Sequence, residues 1–211
     1  MNERTIAAEP GSPCRSPRAA ARRDRVIDAA RRLIAEQGFH NTGIAQIARD
    51  SGVLVGQIYR DFASKEDIVV AIAERDTHAF LNDEGLRSAL ATGDAAGLRD
   101  WIARLVACED EGSDRRVVAE IIAEASRSEK IAGIVRHIHA SMRRDLLAAL
   151  SSLAPGEALA DRREMLAEVI LTIAGGVFQR RMTEGDAPID AVVEALIDGI
   201  MRRIDQLAAE G

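Results

Sequence analysis

With 211 residues, 47% apolar but only 3% aromatic, the chain is long enough for a small head on a larger core-forming body, or for one compact domain. Alanine and leucine-type residues dominate and there are only 5 prolines, which favours an all-α fold and argues against sheet architectures. The net charge of −6 would argue against nucleic acid as a partner if it were evenly spread, but residues 1–65 carry 11 Arg/Lys against 7 Asp/Glu, a local +4 that leaves −10 for the remainder.

A basic head on an acidic body is the asymmetry expected when only the head meets phosphates. The longest apolar run, residues 169–178, is too short to cross a bilayer, and no signal-peptide core follows the first charges. A cytoplasmic protein with no membrane partner is therefore expected. Cys14 and Cys108 are far apart and fit neither a disulfide framework nor a metal spacing.

In chain order, residues 1–19 read as a disordered tail: Pro10, Gly11, Pro13 and Pro17 deny helix and strand, and Arg15 and Arg18 would let it lie along DNA as a basic arm or serve as a plain leader. A first helix is expected over 19–37, with Val26, Ala30, Leu33 and Ile34 on one face, Arg31 and Arg32 on a solvated one, and Gly38 as its stop. Ile44, Ile47 and Ala48 then recur at helical spacing, giving a short helix over 43–50 capped by Thr42. Ser51 and Gly52 end it. A second short pattern, Val53, Ile58 and Phe62, places a helix over 55–61. Residues 43–62 are thus a helix-turn-helix, whose second helix would present Val55, Gly56, Gln57, Tyr59 and Arg60 to the major groove. Ser64 caps a fourth helix over 64–82, with Glu66 and Asp67 in its first turn and Ile68, Ile72, Ala79 and Phe80 inward. That helix belongs to head and body alike, so a tilt imposed on one end would be felt at the other.

Beyond an expected break at 82–93, Asp94 opens a helix to residue 108 with Leu98, Trp101, Ile102 and Leu105 inward, a loop covers 109–114, and a helix over 114–126 carries Val117 and Ile121. Ile131, Ile134, Val135, Ile138, Met142 and Leu146 form the stripe of a longer one, ended by Pro155 and Gly156. The helix over 157–183 is apolar around most of its circumference between residues 166 and 178, and the last helix starts from Pro188. A helix apolar all round needs cover on both sides. A two-fold dimer is expected through Leu166, Ile170, Ile173, Val177, Val193, Leu196, Ile197 and Ile200, with Gly175 and Gly176 permitting close approach.

The run R-V-I-D-A-A-R-R-L-I-A-E-Q-G-F-H-N-T-G-I-A-Q-I-A over 25–48, followed by S-G-V-L-V-G-Q-I-Y-R-D-F and S-K-E, resembles the DNA-binding domain of TetR/AcrR-family transcriptional regulators across residues 22–80. The resemblance implies a DNA-binding domain over 20–80 and a helical effector-binding and dimerisation body over 81–211. It also implies phosphate contacts from Thr42, Tyr59 and Lys65 and base-edge contacts from Val55, Gln57 and Arg60, with Gly43, Gln46 and Gly56 on the same surface. Three positions depart from the family pattern: Leu54 stands where a small hydroxyl residue is usual, Gly43 where a second Thr or Ser is frequent, and Asp61 where an aromatic is common.

In the body, large apolar residues mixed with isolated polar ones suit a small-molecule site, lined by Trp101 and Phe178 with His78, Met142 and Gln179, for a largely apolar effector. His137 and His139, two apart, point to different sides of a helix and make a poor metal pair. Glu120 and Glu124, with Arg115, Arg116 and Arg127 nearby, read as a solvated charge network. With no phosphate-binding glycine loop, nucleophile elbow or Cys/His cluster, no catalytic residue, metal or cofactor is expected. The reading is a homodimeric repressor released from a palindromic, double-stranded operator by a small molecule. A partner-recruiting protein without a pocket, and an all-helical enzyme with a DNA-binding head, are the alternatives.

Overall fold

The tail of residues 1–16, Pro188 and the side chain of His78 lie outside what the computed structural model describes, which is residues 17–81, 84–108, 112–183 and 189–210, with backbone alone over 76–81 and 112–114. The expectations placed on those residues therefore have no structural counterpart. The described elements are all helical.

Helix α1 (Pro17–Gln37) buries Val26, Ile27, Ala29, Ala30 and Ile34 and ends at Gly38, whose φ of 85° needs a residue without Cβ. Next come α2 (Ile44–Ser51) and α3 (Val55–Asp61), joined by a turn at left-handed Gly52, and α4 (Lys65–Leu81). At the head of α4, Ser64 and Asp67 cap one another, the Asp67 carboxylate accepting from Ser64 N–H and the Ser64 hydroxyl from Asp67 N–H. The N-cap of α2 is Gly43, not Thr42, so that helix opens one residue later than its pattern suggested. The reason is that Thr42 is fully buried and its hydroxyl donates backwards to the Gly38 carbonyl at 2.9 Å.

The expected break at 82–93 instead contains α5 (Glu84–Thr92). Leu86, Ala89 and Leu90 share one face and pack into the body core beside α6, which supplies the energy a nine-residue helix lacks on its own. Asp94 caps α6 (Ala95–Ala107), accepting from Ala96 and Gly97 N–H. There follow α7 (Gly112–Ala125), α8 (Glu129–Leu153) capped by Ser128, a 3-10 turn over Glu157–Leu159, α9 (Ala160–Thr183) and α10 (Asp190–Ala208). Among the described residues no helix is long and apolar enough to cross a membrane.

Two main cores result, and the first draws on residues both before and after residue 80. The head core of Val26, Ile34, Phe39, Ile47, Ile58, Phe62, Ile68 and Ile72 is completed by Val117 and Ile121 of α7 and Ile131 of α8. The body core gathers Leu98, Trp101, Ile102, Leu146, Leu150, Ile170 and Ile204. Because α7 and α8 close the head, a shift of either reaches it through packed side chains.

The apolar surface of α9 and α10 sorts into two faces, and the expected dimer residues lie mostly on the inner one. Leu166, Ile170, Val177, Val193 and Ile200 are buried in their own subunit, with Ile173, Leu196 and Ile197 packed beside them, because these positions face α6 and α8 or line the α9–α10 contact. The uncovered face of α9 is the next stripe round: Met165, Val169, Thr172, Gly176 and Gln179, spaced four, three, four and three. On α10 it includes Val192 and Ala195.

Candidate nucleic-acid interface

Ile58, fully buried, anchors α3 to the head core, and this fixes which of its residues face out. Leu54, Val55, Gly56, Tyr59 and Arg60 are exposed, and Gln57 is half-buried. Tyr59 is 54% exposed, so its ring is not part of the core. The structure thus brings Val55, Gly56, Gln57, Tyr59 and Arg60 onto one outward surface, as their spacing implied.

One departure from the family pattern, Asp61, acquires a reason here. Asp61 receives a two-pronged bond from Arg22, Nε at 2.7 Å and Nη2 at 2.9 Å, and its carbonyl accepts from Arg23 Nη1 at 2.9 Å. The hydrogen bond to Asp61 raises the Arg22 pKa further above its ordinary value. The Arg23 guanidinium also lies 4.1 Å over the Phe62 ring. The C-terminal end of α3 is therefore tied to α1 by two arginines. Gly43 is extended, and its N–H donates to Gln46 Oε1 at 2.7 Å. Gln46 is half-buried and caps α2 with the oxygen that Gln37 Nε2 also approaches.

Two expected phosphate ligands face inward. Thr42 has no exposed surface. The Lys65 ammonium donates to the carbonyls of Phe39 at 2.7 Å and Thr42 at 3.1 Å and sits 3.9 Å over the Phe39 ring. Burial lowers its pKa. A lysine at the positive end of α4 opposes the helix dipole, and these carbonyls and the ring stabilise it there. Both residues brace the turn between α1 and α2 and do not reach out from it.

The same turn is gripped from the body. Glu120 of α7 accepts from Phe39 N–H at 2.8 Å, so close to Gly38 that a Cβ there would stand 3.3 Å from its carboxylate. Glu124, 7% exposed, lies 3.1 Å from His40 Nε2 and 3.8 Å from Arg127. Lys130 of α8 pairs with Asp67 of α4. The solvated network expected of Glu120 and Glu124 is in fact a bracket between body and head. A carboxylate pair four residues apart was visible in the sequence; its destination, more than 80 residues away, was not.

Of the expected effector residues, Trp101 is 1% exposed within the body core, Met142 packs against that core, Phe178 is half-buried and Gln179 is exposed. Of these, Gln179 lines a groove at the surface. A shallow groove of about 470 Å³ lies between the C-terminal part of α9 and the start of α10, floored by Ile173, Val177 and Ile189 and edged by Gln179 and Thr183. It opens on the uncovered face of the α9–α10 pair.

A family model described as "Bacterial regulatory proteins, tetR family" matches residues 26–72. The HTH-type transcriptional regulator BetI of Rhizobium meliloti (strain 1021) is 30% identical over 173 residues, 80% of this chain and 81% of that protein. The fatty acid metabolism regulator protein of Bacillus subtilis (strain 168) is 39% identical over 56 residues, 26% of this chain and 29% of that protein. Among solved structures, a TetR transcription regulator from Haloarcula marismortui ATCC 43049 superposes with a TM-score of 0.71 at 17% identity, over 89% of this chain and 98% of that one. A chain from Saccharomonospora viridis solved in complex with choline gives 0.66 at 21% identity, over 86% and 96%.

Proposed function

The chain belongs to the TetR family of bacterial regulatory proteins and is a DNA-binding transcriptional regulator, and we propose that it works as a homodimeric repressor that a small molecule releases from its operator. In this reading α3 enters the major groove, Val55, Gln57 and Arg60 face base edges, the Tyr59 hydroxyl donates to a phosphate, and Thr42 and Lys65 act behind the surface by holding its turn.

The observation that carries the reading is Gly56. It has neither a positive φ nor a neighbour within 4 Å of where a Cβ would stand, so nothing within the subunit requires glycine in this helix. An approaching groove wall would. The same pattern recurs at Gly175 and Gly176 on the uncovered face of α9 and supports apposition of a second α9 there. Release is proposed to follow from an effector that shifts α7 or α8 and so pulls on the Glu120–Phe39 and Lys130–Asp67 contacts as well as on α4. The choline held by one structural neighbour supports a small molecule as the signal.

The test is a titration of DNA carrying an inverted repeat from the flanks of the chain's own gene. Gln57→Ala, Tyr59→Phe and Arg60→Ala should each weaken binding by about 1–3 kcal/mol. Wild-type affinity in all three would remove α3 as the reading surface.

A further inference from the structure

Leu54 is the most exposed large apolar residue of the described chain, at 73%, and Val55 beside it is 40% exposed. Neither is explained by the subunit. Leu54 is the N-cap of α3: its carbonyl accepts from Gln57 N–H at 2.8 Å and from Ile58 N–H at 3.1 Å, yet its side chain makes no cap bond. A hydroxyl or carboxamide there would satisfy a backbone N–H, so leucine forgoes a cap and leaves apolar surface in water. Gly56 follows and leaves clearance beside the pair. Exposed Arg49 and Arg60 lie near this apolar spot in sequence, on a head of net positive charge.

The partner that suits an apolar spot in a cationic frame is one with apolar marks between anionic rails. In the major groove the only such mark on a base edge is the C5-methyl of thymine. We propose that Leu54 and Val55 read thymine methyl groups, making Leu54 a specificity-determining residue of the operator contact. The proposal rests on α3 being the DNA-reading helix. Gln57, three residues after Leu54, is suited to adenine, so the preferred half-site holds a thymine within a base pair or two of an adenine on the same edge.

The experiment first enriches a preferred duplex from a random pool with the full-length wild-type chain. Each thymine of that duplex is then replaced by deoxyuridine, which removes the methyl and nothing else. At one or two thymines per half-site the wild type should bind the deoxyuridine duplex roughly 3- to 10-fold more weakly. Leu54→Ala should lower affinity for the thymine duplex by a similar factor and lose the deoxyuridine penalty at the thymine that Leu54 reads, keeping one only at a thymine read by Val55, with an unchanged salt dependence. Leu54→Ser, which restores a cap, should melt no lower than wild type and still lose the discrimination, so that unfolding cannot account for the result. A wild type indifferent to every thymine methyl, or a Leu54→Ala chain that keeps every deoxyuridine penalty of the wild type, overturns the proposal while leaving α3 as the reading helix. A chain that enriches no sequence at all overturns the reading of α3 itself.

Discussion

In α2 and α3 the residues that bury, Ile47 and Ile58, stand among polar neighbours, and the residues that face out follow from them by spacing alone. In α9 both sides are apolar: Leu166, Ile170 and Val177 are inside while Met165 and Val169 are 68% and 44% exposed. The stripe of α9 expected to face a second subunit is largely buried within its own, whereas the outward face expected of α3 is exposed. A hydrophobic period locates a core by contrast with a polar face, and where the contrast is missing only the neighbours decide. The two helices share one feature, glycines that their own subunit does not require, at Gly56 and at Gly175 and Gly176.

The sharpest way to break this comparison is to mutate adjacent residues of α9. Val169→Glu should leave the melting temperature of the subunit nearly unchanged but give a monomer on sedimentation, with operator affinity lower by about 100-fold or more as the two heads are uncoupled. Ile170→Ala should do the reverse, destabilising the fold by about 2–5 kcal/mol in denaturant titration. A Val169→Glu chain that stays dimeric would mean the exposed stripe is not the contact.

At the head, the Arg22–Asp61 tie should respond to exchange. Arg22→Asp or Asp61→Arg alone should loosen the end of α3 and weaken operator binding roughly 3- to 10-fold, and the double exchange should recover most of it. Failure of the double exchange would show that the acceptor geometry of Asp61, not its charge, matters.

Gly56→Ala should separate stability from function. Helix propensity should raise the unfolding free energy by up to about 1 kcal/mol. Operator affinity should nevertheless fall several-fold, measured on the same preparation. Unchanged affinity would show that the open space beside Gly56 is not used.

The smallest effect expected is on the acid limb of stability. A hydrogen bond from Lys130 holds the Asp67 carboxyl below its ordinary value, and the Glu66 carboxyl is lowered by its own backbone N–H at the start of α4. Both groups have folded-state values below their unfolded ones, so the stability they contribute is fully present above the unfolded carboxylate range and is lost as pH falls through the depressed values. Asp67→Asn should therefore cost at most about 1 kcal/mol at neutral pH and flatten the fall in melting temperature at acid pH. An acid limb as steep as that of the wild type would assign it to other carboxylates.

The sites missed in the sequence share a cause. Thr42 and Lys65 have the right chemistry for phosphate, but a donor's direction depends on which carbonyls stand nearby, and here those of Gly38, Phe39 and Thr42 take them. Glu120 and Glu124 looked solvated because their partners, Phe39 N–H and His40, come from the other end of the chain. The helix α5 was hidden because Leu86, Ala89 and Leu90 are too few to specify a helix without the core they pack on.

The sequence by itself determined an all-helical chain, the helix-turn-helix with its outward residues, the positions of the Gly38 and Gly52 turns, and the basic head on an acidic body. These depend on spacing, backbone sterics and composition, which are local. Only the tertiary structure decided that α7 and α8 complete the head core, that Lys65 braces instead of reaching, and which stripe of α9 remains uncovered. Each of these is a competition between partners distant in sequence, settled by what packs against what.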